Sequence, residues 1–144
     1  MGLSAVSPES IPMTIKVTRV SGTKLKAEID GFEVVSGQVD ENTPPEGPSP
    51  GKLMVASLGL CAGLYTVWYL KRHGISDEGL TVDVDVRDEK NPSRATSFDV
   101  VVNLRAEISE KDREGLMSSV SHCYVGNTLK GNAMINYSLN LTHS

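Results

Sequence analysis

Eighteen consecutive residues from Leu53 to Leu70 (LMVASLGLCAGLYTVWYL) carry no charge, with Pro50-Gly51-Lys52 before them and Lys71-Arg72 after. A run so long and so sharply bounded reads as one helix. Ser49 can open it by accepting a backbone N–H, and Pro50 suits the first helical position, where no N–H is needed. Gly74 supplies a stop, so the helix is predicted to reach about His73, roughly 35 Å at 1.5 Å per residue. It is apolar on every side, and one small sheet can cover only one face. Ala56, Gly59, Gly63 and Thr66 form a stripe of small residues along which a second backbone could approach. A homodimer with these helices packed at its centre is the economical expectation. A helix buried in the core of a monomer is the alternative.

The run also reaches the lower edge of what spans a bilayer, and Gly59 and Gly63 are spaced as in helix pairs that associate in lipid. Against this, Gly, Ser and Cys dilute its hydrophobicity, and positive residues flank both ends rather than one. The segments around it alternate like those of a water-facing sheet. No membrane partner is expected. A chain of 144 residues with net charge −4 fits one domain, and no segment concentrates Lys and Arg, so nucleic acid is not expected either. Residues 1–12 (MGLSAVSPESIP) have neither the basic start nor the apolar stretch of a signal peptide. They read as an N-terminal tail ahead of a single domain at 13–144, and the protein reads as cytoplasmic.

Three strands are predicted before the helix. Ile15 and Val17 alternate with Lys16 and Thr18, Ser21-Gly22 turns the chain, and Leu25, Ala27 and Ile29 alternate with Lys24, Lys26 and Glu28. Asp30-Gly31 is a strong hairpin signal, because both central positions of such a turn take positive φ. Phe32 and Val34 begin the third strand, and residues 40–50 (DENTPPEGPSP) form a Pro-rich loop. After the helix, Val82, Val84 and Val86 alternate with Asp83 and Asp85, and Phe98, Val100, Val102 and Leu104 form the facing strand, with Asn91-Pro92-Ser93 between them. Ser109 and Asp112 make a capping box for a helix whose apolar stripe is Leu116, Met117, Val120 and Cys123. A short helix over Asn127–Lys130 follows, then a last strand through Ile135, Tyr137, Leu139 and Leu141. The order βββ-α-ββ-α-β is an α+β chain.

Cys61 lies in the middle of the apolar run, and Cys123, the only other cysteine, comes 62 residues later. A free cysteine most often packs as a small hydrophobe. A reactive Cys61 would need a cation to hold its thiolate, because apolar burial raises a thiol's pKa. Lys52 and Lys71 are too far along the helix, which leaves Arg19, Lys24 and Lys26 as unranked candidates. Met54, Leu58, Tyr65 and Trp68 share the helical face of Cys61 and would form an apolar substrate wall. His73, His122 and His143 are scattered and offer no metal site, and no cofactor is expected.

Gly47-Pro48-Ser49-Pro50, with Leu53 and then Cys61 eleven residues after Pro50, resembles the start of the central helix in the OsmC/Ohr family. His122-Cys123-x-Val125-x-Asn127-Thr128-Leu129 resembles that family's second-cysteine motif. The element order and the cysteine spacing fit as well, over about Met13 to Leu141. The resemblance implies an intertwined α+β homodimer with long central helices packed against its sheets, and reduction of organic hydroperoxides in oxidative or osmotic stress defence. By this resemblance Cys61 is the peroxidatic thiol, oxidised to a sulfenic acid. Cys123 resolves it as a disulfide, and a dithiol such as a dihydrolipoyl protein resets the pair.

The peroxidase branches carry a glutamate just after the proline that opens the helix, where it orients an arginine beside the thiol. Gly51 and Lys52 stand there instead, and Glu46 in the preceding loop is a candidate substitute. In this respect the chain resembles a divergent OsmC-like branch. The alternative function is therefore an OsmC-like protein without peroxidase activity that binds an apolar or acyl ligand at the dimer cleft.

Overall fold

The computed structural model describes residues 13–141, so the expected tail at 1–12 lies outside the described residues. The chain divides into two compact units between Leu53 and Met54. In the first, β1 (Lys16–Ser21), β2 (Lys24–Ile29) and β3 (Phe32–Ser36) form an antiparallel meander in the order β1-β2-β3. Asp30 and Gly31 take φ of 50° and 86°, the paired positive values of a tight hairpin, and Ile29 faces Phe32 across it. The loop after β3 folds back on the sheet. Gly37 bridges Gly47, Glu46 N–H donates to the Gly37 carbonyl at 2.7 Å, and Thr23 N–H donates to Gln38 O at 3.0 Å. Gly37 is required there: its φ is 89°, and a Cβ would collide with the Thr23 carbonyl.

The long helix α1 runs from Pro50 to Arg72. Lys52 N–H donates to Ser49 Oγ at 3.4 Å, so Ser49 caps it as the sequence predicts. Its end is also the predicted one. Gly74 has φ 64°, and Ile75 N–H reaches back to Leu70 O at 2.9 Å.

In the second unit β4 (Thr81–Glu89) and β5 (Arg94–Asn103) pair antiparallel, with Val82 opposite Val102, Val84 opposite Val100 and Val86 opposite Phe98. These residues form the inward face of the sheet, and α1 lies against it. A Cβ at Gly59 would stand 3.2 Å from Val84 Cγ2, and one at Gly63 would stand 3.7 Å from Val82 Cγ2. Gly59 and Gly63 of the small-residue stripe therefore pack α1 on its own chain's sheet rather than on a second helix, while Ala56 is exposed. Thr66, fully buried on the same stripe, satisfies its hydroxyl on Ala62 O at 2.9 Å. The homodimer argument loses this support and keeps the other: Leu60, on the opposite side of α1, is 75 % exposed, and Leu64 and Trp68 are exposed beside it.

Helix α2 (Glu110–Val120) is capped by Ser109, whose Oγ accepts from Asp112 N–H at 3.0 Å. Asp112 also accepts from the Tyr69 hydroxyl at 2.9 Å, tying α2 to the end of α1. Ala62, Tyr69, Leu70, Leu116 and Val120 make the buried core. Helix α3 (Tyr124–Lys130) begins earlier than the sequence predicts. The last predicted strand differs more. Residues 132–141 have no regular secondary structure, and Ile135, Tyr137, Leu139 and Leu141 are exposed, Tyr137 by 90 %. Their alternation is strand-like, but no edge within the described residues pairs with them.

The unequal clearance at the two glycines is testable. A helix-interior Gly→Ala change gains about 0.5–1 kcal/mol where the methyl fits. Gly63→Ala, meeting Val82 at ordinary contact distance, should gain close to that amount in urea unfolding. Gly59→Ala should gain clearly less, because Val84 must give way. Equal gains would show that α1 does not press on β4 at Gly59.

Candidate functional site

Cys61 sits at mid-length on α1, one residue before the buried Ala62 and three after the buried Leu58. Cys123 does not continue the apolar stripe of α2, as the sequence predicts. That helix ends at Val120, Ser121 is its C-cap, and Cys123 becomes the N-cap of α3 with extended backbone, φ −70° and ψ 153°. The apolar spacing from Leu116 to Cys123 survives because the turn at Ser121 and His122 returns the thiol to the same core. Asn127 holds that turn from below. Its Nδ2 donates to His122 O at 3.2 Å, and its N–H donates to Cys123 O at 2.8 Å. His122 directs Nδ1 to Ser118 O at 2.6 Å, at the end of α2.

The two thiols are neighbours. Both are free, and Cys61 stands close enough to act on the titration of Cys123; Cys61 is half-buried, and Cys123 is only 2 % exposed. Burial pushes the Cys123 thiol above its ordinary pKa, and the neighbouring Cys61 adds to the rise. Two groups act the other way. Gly126 N–H donates to Cys123 Sγ at 3.3 Å, and the positive charge of Lys130 stands nearby. The glycine permits this closeness, since a Cβ at 126 would lie 3.2 Å from the sulfur and 3.8 Å from Leu58 Cδ1.

Cys123 opens onto a cavity of about 600 Å³ walled chiefly by apolar groups, among them Leu58 on α1, Phe98 and Val100 on β5, and Met117 on α2. Of the four residues expected to form a substrate wall, Leu58 lines it. Met54, Tyr65 and Trp68 lie outside it, Met54 and Trp68 exposed and Tyr65 packed against Trp68 with ring centroids 5.1 Å apart. The wall is turned toward the sheet, and sequence spacing along one helix carries no sign of that. Among the described residues Lys130 is the only charged one lining the cavity. It is seven positions after Cys123, about two helical turns, so its sequence signal is its spacing from Cys123 and not from Cys61.

The expected cations belong to the first unit. Arg19 Nε donates to Gly22 O at 2.9 Å, Lys24 pairs with Glu46 at 2.7 Å, and Lys26 pairs with Glu33 at 3.1 Å. Glu46, the candidate substitute for the missing glutamate, is thus engaged by one of the candidate cations. Among the described residues no three His, Cys, Asp or Glu side chains stand close enough to hold a metal ion.

A comparison with curated proteins finds no match. Solved structures do match. The chain superposes on an OsmC-like protein from Mycoplasma pneumoniae with TM-score 0.71 at 18% identity, covering 84% of this chain and 89% of that one. A Psychrobacter arcticus protein named for an osmotic-stress and detoxification response gives TM-score 0.70 at 21% identity, covering 82% and 89%. The organic hydroperoxide resistance protein OhrB of Bacillus subtilis gives 0.53 at 18% identity, covering 83% and 93%. At such identities the likeness carries the fold. The family profile described as OsmC-like protein matches residues 41–138, which takes in the Pro-rich loop, all of α1 with Cys61, and the Cys123 turn. The chain belongs to the OsmC-like family.

Proposed function

We propose that the protein is a thiol-dependent reductase of organic hydroperoxides, with Cys61 peroxidatic and Cys123 resolving. The observation that carries this reading is a pair of neighbouring free thiols of unequal burial, of which Cys123 lines an apolar cavity. The more open sulfur is the one a peroxide reaches first. Cys61 thiolate attacks the peroxide, the O–O bond breaks, the alcohol leaves, and Cys61 becomes a sulfenic acid. Cys123 then attacks that sulfur, the S–S bond forms, and water leaves. A dithiol returns two electrons and restores both thiols. Hydroperoxide-resistance proteins among the structural relatives support the reaction class.

The apolar wall favours bulky organic peroxides over hydrogen peroxide. Gly51, in place of the glutamate expected from the family resemblance, favours weak activity or the second reading: a member that holds an apolar or acyl ligand without turning it over. A cytoplasmic location, where dithiol reductants are maintained, belongs to the same proposal.

We also infer a homodimer. The exposed Leu60, Leu64 and Trp68 of α1 and the strand-like segment through Ile135–Leu141 need a partner surface, and a second copy of the chain supplies one. Light scattering at micromolar concentration should give twice the chain mass, with an interface above about 2,000 Å². A stable monomer would refute the dimer.

The reaction is tested by consumption of cumene hydroperoxide with dihydrolipoamide or dithiothreitol. Cys61→Ser should abolish it, because a hydroxyl forms no sulfenic acid. Cys123→Ser should permit one oxidation and then leave Cys61 open to sulfinic acid. Equal rates for wild type and Cys61→Ser would leave the ligand-binding reading standing.

Resolution should also accelerate with pH through and beyond the ordinary thiol range. The sign follows from burial: a raised pKa keeps Cys123 neutral at pH 7, and only its thiolate attacks. Rapid-quench disulfide formation that is flat from pH 7 to 10 would contradict this.

A further inference from the structure

Resolution places a demand on the less accessible sulfur. Cys123 must lose its proton in a site only 2 % exposed, among apolar walls that penalise the charged form. A cation or a directed N–H has to offset that penalty, or the sulfenic acid on Cys61 outlives the step meant to consume it. Among the described residues one charged side chain lines the cavity. Lys130, at the end of α3, folds back to donate from Nζ to Ser121 O at 2.8 Å, anchored two residues before Cys123. Ser121, Cys123, Gly126 and Lys130 all line the same cavity.

We propose that Lys130 is the charge-supplying residue of the resolving step, holding the Cys123 thiolate from the cavity side while Gly126 N–H holds it from the backbone side. The proposal rests on the two-cysteine reading above and adds a residue to it. In the step itself the Cys123 thiolate attacks the Cys61 sulfur, the S–S bond forms, and the S–O bond of the sulfenic acid breaks. The departing hydroxide takes up the proton that Cys123 released and leaves as water. Lys130 exchanges no proton; it lowers the free energy of the charged sulfur before attack. When a dithiol later opens the disulfide, the same charge stabilises Cys123 as the leaving thiolate.

The other groups around Cys123 and along the cavity leave this role open. From α1 comes Cys61, which disfavours a second charge. From β5 come Ala95, Thr96, Ser97, Phe98 and Val100, and from α2 come Met117 and Val120, none of them ionisable. His122, adjacent in the chain, is turned to Ser118 O.

The test separates charge from structure. Lys130→Gln keeps an N–H donor for Ser121 O without the charge, and Lys130→Arg keeps both. In single-turnover reaction with cumene hydroperoxide, Lys130→Gln should slow disulfide formation about fivefold relative to sulfenate formation at pH 7, the scale of one partly exposed charge pair. Its pH profile should move to higher pH, with the difference closing at alkaline pH, and Lys130→Arg should restore the wild-type curve. An unchanged profile in Lys130→Gln, or an arginine variant no better than glutamine, overturns the proposal. If the wild type forms no sulfenate, the two-cysteine reading fails instead. Lys130 is then judged by iodoacetamide alkylation of Cys123 against pH in the Cys61→Ser background. A shift on adding Lys130→Gln upholds the charge's hold on the sulfur, and coincident curves overturn it.

Discussion

The close approach of α1 to β4 sets the positions of everything around the thiols. A methyl at Gly59 would press on Val84, whereas one at Gly63 would meet Val82 at ordinary contact distance, so Gly59 marks the tightest point between helix and sheet. The apolar faces of α1, β5 and α2 converge on one cavity. Leu58 and Ala62, which flank Cys61 on the helix, line the cavity that Phe98 and Val100 close from the sheet.

Burial differentiates the cysteines more than their chemistry does. Both are free thiols on neighbouring elements, yet one is partly open, while the other is enclosed and held by a backbone N–H. Such an arrangement gives each sulfur a distinct order of encounter with a reagent from outside. It needs no difference in intrinsic reactivity, which a pair of identical side chains could not supply by itself.

Much of this was legible in the residues, and the parts that were not share a cause. Asp30-Gly31, Ser49-Pro50, Gly74 and the Ser109 to Asp112 spacing are local signals, each resolved by a few backbone torsions, and each stands where it was read. The small-residue stripe was visible too, but a stripe does not say which surface it meets, and the sheet of its own chain took it. Cys123 was placed on the wrong element because a thiol is not among the usual helix caps and the apolar spacing runs unbroken through the turn. The place of Lys130 at the cavity has no such local signal, because it depends on a side chain folding back to the Ser121 carbonyl. The strand through Ile135–Leu141 was read from a true alternation, but pairing is decided by an edge elsewhere, and local periodicity holds no record of that edge.

That unpaired segment has a further consequence. Ile135, Tyr137, Leu139 and Leu141 present backbone donors, backbone acceptors and apolar side chains together, which is what any extended chain needs in order to add itself. The alternation that suits a correct partner suits a wrong one equally well, and nothing within the segment distinguishes them. Whether such a protein stays in solution then becomes a matter of kinetics, since productive pairing has to outrun random strand addition. Both processes accelerate with concentration. Yields on refolding should therefore depend on how quickly the segment is covered as much as on the stability of the covered state.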